Sequence, residues 1–282
     1  MPDESSHKAF FITKSSGDKV DFSFEKLRSS LIHSGAHQSV IDHIINTVYN
    51  ELYAGITTGE IYERAFAMLK EQGGSYASKY KLKRAIYELG PTGFPFEKFI
   101  RSILTYSGYS CETNITIEGS CVNHEIDVVA RKNGMIDLIE CKFHAEQGKN
   151  CDVKIPMYIN SRHRDVRSNW EHNRDATLQH FWLVTNTRFT GDALQFGKCV
   201  GLYLLSWDYP PGDSLKERID RLRLYPITVS TTMTSREKKA LLDEGIVLCR
   251  ELMEDTSVLQ KVGISKKRKV KIIEEIKNLC HK

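Results

Sequence analysis

The 282-residue chain has no apolar run near the roughly 20 residues that a membrane-spanning helix requires. Its start, MPDESSHKAF, has no basic-then-apolar leader pattern. Seven cysteines are scattered as an odd number with no C-x-x-C pair. That speaks against a disulfide framework or a cysteine zinc site and for a reducing cytoplasm. G-x-x-x-x-G-K-[ST] is absent, so a P-loop motor is not supported. No internal repeat, low-complexity tract or base-reading element stands out. Prolines number only seven, and two fall within Gly90-Pro-Thr-Gly-Phe-Pro95, where two glycines join them. Such a cluster stops a helix and marks a boundary.

What is present is ordinary for a folded protein, at 40% hydrophobic and 27% charged residues. The net charge of +4 is unevenly placed: residues 261–282 carry +6, leaving −2 for the rest. A basic tail on a near-neutral body suggests a polyanionic partner.

The most informative stretch is EIDVVARKNGMIDLIECKFH, residues 125–144. Asn133-Gly134 between two β-rich runs predicts a hairpin, because a type I′ turn needs positive φ at both central positions. A two-residue loop there sets Lys132 against Met135, Asp127 against Glu140 and Glu125 against Lys142. A three-residue loop would scatter these pairs. Alternation puts Glu125, Asp127, Glu140 and Lys142 on one face, and Ile126, Val128, Ala130, Ile139, Cys141 and Phe143 on a core face. Like charges opposed across a hairpin destabilise it. A divalent cation explains them most simply, since hard cations take oxygen ligands and usually one or two carboxylates. The plainer reading is a solvated face with a Glu125–Lys142 pair.

The flanking pattern organises the rest. Residues 1–90 form one unit: short strands at 9–14 and 19–22, then helices over 24–34, 40–52, 58–72 and 75–89, with Thr58 as the N-cap of the third. Residues 91–212 read as an α/β domain. It holds a helix at 96–106, a strand at 112–118, the hairpin, an Arg- and His-rich helix at 154–169, and a strand–helix–strand crossover over 181–207. The predicted sheet is mixed, an antiparallel hairpin joined to parallel strands. Residues 213–282 form a helical, basic C-terminal region.

Asp127 followed by Glu140-Cys141-Lys142 resembles the PD-(D/E)xK nuclease signature. Glu97 in a preceding helix, His124-Glu-Ile-Asp127 and Leu-Val-Thr-Asn186 with Phe189-Thr190 resemble Mrr-type restriction endonucleases, over roughly residues 91–210. Ile126 replaces the usual Pro. The resemblance implies a restriction-endonuclease-like fold and a Mg²⁺- or Mn²⁺-dependent endodeoxyribonuclease serving restriction or phage defence. Asp127, Glu140 and the Cys141 carbonyl would hold the metal. Lys142 would orient the attacking water and stabilise growing phosphoryl charge. Glu97 is either an added ligand or the i+4 partner of Arg101. Glu125 reads as the partner of Lys142, and His144 as either a site residue or a structural one.

Ile12-Thr-Lys14 with Gly17, Phe24-Glu-Lys26-Leu27, Gly55-Ile-Thr-Thr58 with Tyr62, and Tyr76-Ala77 with Tyr80 resemble the ATP-cone. This implies allosteric control by ATP or dATP. Lys14 and Lys26 would meet phosphates, and Thr58 and Tyr62 the base or sugar. Ser15 stands where that family usually has Arg. Leu259-Gln-Lys-Val-Gly263-Ile-Ser265 and the helix after it look like half of a helix-hairpin-helix, or a plain amphipathic helix. The expected setting is a cytoplasmic homo-oligomer that binds DNA and nucleotide, away from membranes. The alternative is a nucleotide-responsive nucleic-acid-binding regulator without catalysis.

Overall fold

A computed structural model describes residues 11–14, 17–173 and 177–280. By contacts the chain divides after Leu82 into two compact units, with Val229–Thr232 grouped with the first. The division lies eight residues before the 90/91 boundary read from the sequence. The remainder of 213–282 belongs to the second unit rather than forming a third.

The first unit contains β1 (Phe11–Thr13), β2 (Lys19–Asp21), α1 (Phe24–His33), α2 (Gln38–Glu51), α3 (Thr58–Gln72) and α4 (Gly74–Tyr80). β1 and β2 pair antiparallel. The helical spacing predicted for Leu27 and Leu31, and for Ile41, Ile44, Ile45 and Val48, delivers these side chains to one core with Ile56, Ile61, Ala65 and Leu69. The N-cap of α3 is Thr57, one residue before the predicted Thr58. Thr57 Oγ1 accepts from the Glu60 N–H at 3.1 Å, and Glu60 Oε2 accepts from the Thr57 N–H at 2.9 Å. Thr57 and Glu60 thus form a complete capping box. The helix predicted over 75–89 is broken: α4 ends at Tyr80, Lys81 caps it, and α5 spans Leu82–Tyr87.

The second unit is a mixed α/β structure. It contains α6 (Phe94–Tyr106), β3 (Ser110–Glu118), β4 (Asn123–Lys132), β5 (Met135–Lys142), α7 (Lys154–Asn173), β6 (Thr177–Thr185), α8 (Gly191–Cys199) and β7 (Tyr203–Leu205). Then come α9 (Leu215–Leu222), α10 (Ser235–Asp243), α11 (Glu251–Glu254), α12 (Val258–Lys261) and α13 (Lys266–Cys280). The sheet order is β3-β4-β5-β6-β7. β3, β4 and β5 pair antiparallel, while β5, β6 and β7 pair parallel. The mixed sheet and the β6–α8–β7 parallel crossover therefore match the sequence reading, as does the helical C-terminal region.

The hairpin register is as predicted from the turn to its fifth pair: Lys132↔Met135, Arg131↔Ile136, Ala130↔Asp137, Val129↔Leu138 and Val128↔Ile139; the ladder stops there, so the expected Asp127–Glu140 and Glu125–Lys142 pairs lie beyond it. Asn133 at φ 53° and Gly134 at φ 75° supply the two left-handed positions of the turn. The division of faces differs from expectation. Val128, Ala130 and Ile139 are buried as predicted, but so are Val129, Leu138 and Ile136 on the opposite face. These three join Ile159, Val166 and Trp170 of α7 and Ala193 of α8 in one apolar cluster. A sheet covered on both sides shows nearly continuous apolar runs, and alternation then cannot separate core from solvent. Ile126 also enters this cluster rather than staying with Val128. The β3–β4 ladder steps from Thr113↔Val128 to Ile115↔Ile126 across Asn114, whose φ is 56°. That interruption lies opposite Asp127 and breaks the alternation there.

Candidate functional site

The site forms where the hairpin opens. The β4–β5 ladder ends at Val128↔Ile139. Beyond it the Asp127 carboxylate replaces a backbone partner: Oδ2 accepts the Cys141 N–H at 2.7 Å. Glu140, the next residue along β5, is 6% exposed. Its Oε2 lies 2.7 Å from Arg162 Nη1 of α7, while Oε1 is buried and, among the described residues, has no hydrogen-bond partner. A buried carboxylate oxygen without a partner is costly, which marks the site as built for something other than stability.

The electrostatics agree. Burial, followed by the nearby Asp127 charge, pushes the Glu140 carboxyl up to about 8 from 4.5, against the pull of Arg162. Burial raises Asp127 as well, and the Cys141 N–H and Arg162 oppose that rise. Glu97, in the first turn of α6, is pushed up to about 7 by burial and then by Asp127 and Glu125. Glu97 therefore shares a field with the pair, and among the described residues it makes no ion pair with Arg101. Lys142 is exposed at the end of β5. Among the described residues it makes no ion pair with Glu125, contrary to the pairing expected from their register. Cys141 is partly buried, and desolvation of its thiol drives that group well above the ordinary range, which makes it a poor nucleophile.

His144 is held through its backbone. Asn186, fully buried at the end of β6, accepts the His144 N–H at 2.8 Å and donates to the His144 carbonyl at 2.9 Å. The ring's Nε2 is buried and has no partner among the described residues. Burial, then Lys142 and Lys149, depresses its proton affinity.

Sequence reasoning missed Arg162, His124 as a side chain, and Asp165. Arg162 Nε donates to His124 Nδ1 at 3.4 Å, and Arg162 Nη2 donates to the Glu125 carbonyl. His124 Nε2 lies 2.7 Å from Asp165 Oδ2. Asp165 also accepts the Cys121 and Val122 N–H groups at 2.8 and 3.3 Å, and its carboxyl is held down at about 2, chiefly by His124. The one signal available was the Arg and His content of α7; periodicity alone does not say which arginine turns toward the sheet.

Among the described residues, no group of three or more His, Cys, Asp or Glu side chains is arranged to hold a metal ion. What converges is a carboxylate pair, with Glu97 in its field and one unpartnered oxygen. A magnesium-type cation needs no larger protein set, because it keeps several waters and takes one or two carboxylates.

In the first unit, β1 runs beside the start of α3. Thr13 bridges Thr57, and the Thr13 N–H donates to the Ile56 carbonyl at 3.1 Å. Lys14 and Thr58 each follow a bridged residue in sequence. Lys26 is exposed in the first turn of α1. Tyr62 stacks on Phe66 and Tyr80, with centroids at 5.9 and 5.1 Å. Ser15 lies outside the described residues. In the tail, α12 and α13 flank Gly263 at φ 81° and the buried Ile264. Lys266, Lys267 and Lys271 are exposed there, whereas Arg268 Nη2 pairs with Glu237 at 2.7 Å. Among the described residues, no helix is long and apolar enough to cross a membrane.

Comparison with known proteins places these features in a lineage. A family model described as AF1548-like, C-terminal, matches residues 225–280. An uncharacterized protein of Archaeoglobus fulgidus is 33% identical over 182 residues, spanning 63% of this chain and 97% of its own length. The crystal structure of a protein of unknown function, AF1548, superposes with a TM-score of 0.55 at 29% identity, covering 67% of this chain and 98% of that one. More than a third of the chain thus lies outside the match to the A. fulgidus protein. The chain belongs to the family of that A. fulgidus protein and carries an AF1548-like C-terminal region.

Proposed function

We propose that the chain is a metal-dependent endodeoxyribonuclease with a restriction-endonuclease-like sheet domain, regulated by ATP or dATP through its first unit. The observation that carries this reading is the unpartnered Glu140 Oε1, buried beside Asp127 at the open end of the hairpin. A buried carboxyl whose proton affinity is raised by burial and by a neighbouring carboxylate is characteristic of functional sites.

Asp127 and Glu140, with the Cys141 carbonyl, are the residues that would hold Mg²⁺ or Mn²⁺. A bound divalent cation supplies Lewis-acid polarisation of the phosphodiester and a water acidic enough to ionise near neutral pH. Lys142, one strand period from Glu140 and without an ion pair among the described residues, would orient the attacking water and stabilise charge on the phosphoryl oxygens. Glu97 adds negative potential beside the pair. The exposed lysines of α13 supply sequence-independent attraction to the DNA backbone. In the first unit, Lys14 and Lys26 offer cations for a triphosphate, and Thr58 follows the bridged Thr57 in sequence.

Plasmid cleavage with and without Mg²⁺ and ATP tests the reading. Asp127→Ala and Lys142→Ala should each lower the rate at least 100-fold while leaving the melting temperature within a few degrees. Cleavage by Asp127→Ala at the wild-type rate overturns it. DNA binding that survives in a wild-type chain unable to cleave under any metal would favour the non-catalytic regulator instead.

A further inference from the structure

Glu140 divides its two oxygens unequally. Oε2 is taken by Arg162 Nη1 at 2.7 Å, and Oε1 is left bare on the buried side. Arg162 is not loosely placed. Its guanidinium side chain is 14% exposed. Its other nitrogens bond the Glu125 carbonyl, at the mouth of the hairpin, and His124 Nδ1. A guanidinium has no acceptor, so Nδ1 must accept, which leaves the ring proton on Nε2, 2.7 Å from Asp165 Oδ2. Asp165 in turn is fixed by the backbone N–H groups of Cys121 and Val122. Four side chains, three of them charged, thus run from the loop before β4, across α7, to one oxygen of Glu140.

We infer that Arg162 is a positioning residue. It holds Glu140 by Oε2 so that Oε1 is presented to a divalent cation, and His124 and Asp165 lock Arg162 in that orientation. The inference rests on the metal-dependent reading above and assigns the outer support of the same site. Its physical basis is general: ligating carboxylates are themselves hydrogen-bonded, and loss of such support costs roughly 10–100-fold in metal affinity. The rival reading makes Arg162 a stand-in cation that a metal must expel. Two further bonds argue against it, because a displaced guanidinium would abandon both the Glu125 carbonyl and His124.

The test uses the full chain and Mn²⁺ alone, read by electron paramagnetic resonance and calorimetry, alongside cleavage at graded Mn²⁺. Arg162→Gln should weaken Mn²⁺ binding about 10–100-fold, with Arg162→Lys recovering part of the loss. Asp165→Asn, at the far end of the chain of bonds, should weaken binding in the same direction but less. In cleavage, the Mn²⁺ concentration for half-maximal rate should rise while the rate at saturating Mn²⁺ changes little. Tighter Mn²⁺ binding by Arg162→Gln would establish displacement and overturn the inference, as would unchanged affinity in all three variants. Should Arg162→Gln fail to fold, Asp165→Asn and Arg162→Lys carry the same decision. Asp127→Ala separates the two levels. If it leaves Mn²⁺ binding intact, the metal reading itself fails. If it abolishes binding while the Arg162 variants do not alter it, only the positioning role fails.

Discussion

Replacing Glu140 by Gln should make the metal-free protein more stable, and increasingly so as the pH rises. In the folded chain the carboxyl ionises near 8, against 4.5 for the unreacted group, because burial and Asp127 oppose its charge. Between these values the folded state binds more protons than the unfolded state. Proton linkage then lowers stability as pH rises from about 4.5 to about 8. At one pKa unit per 1.36 kcal/mol, the cost is near zero at pH 4 and about 3 kcal/mol at pH 7. Gln keeps the shape, can accept from Arg162, and carries no charge to desolvate. Water entry and relaxation reduce the gain, so an increase of about 1–3 kcal/mol at pH 7 is expected. For a unit of this size that is about 2–10 °C in Tm. Thermal melts in chelator between pH 4 and pH 8 would follow the offset between the two proteins. An offset that stays constant with pH, or a Glu140→Gln protein less stable than wild type at pH 8, would refute the reasoning. Mn²⁺ at 100-fold excess over Kd should shrink the offset at pH 8 by about 2.7 kcal/mol, because only the wild-type site binds it fully.

Other outcomes follow from the same coordinates. Thr57→Ala removes the capping box of α3 and should cost about 1 kcal/mol in urea unfolding, whereas Thr58→Ala should be nearly silent for stability. Gly134→Val places a β-branched residue at φ 75° and should cost about 1–2 kcal/mol, measured the same way. Lys14→Ala and Lys26→Ala should each weaken ATP or dATP binding at least 10-fold by calorimetry; a wild-type chain with no measurable nucleotide affinity would remove the regulatory half of the proposal.

The sequence by itself determined the local structure and the hairpin register. Asn133-Gly134 demands positive φ twice, and that demand fixes which residues face one another for several pairs on either side. The leucine and isoleucine spacing of α1 and α2, and the parallel crossover into β7, were legible for the same reason: each depends on residues close along the chain. Thr57 was missed by one position because two adjacent threonines compete for the cap, and the decision belongs to Glu60 three residues on. Tertiary structure alone decided which face is buried, since hairpin residues on both faces are covered and the contrast that alternation relies on is erased. It alone brought Glu97 into the field of Asp127. It also chose Arg162, from among the arginines of α7, to reach Glu140 across 22 residues of chain. Burial and the meeting of charges depend on elements distant in sequence, and no local period records them.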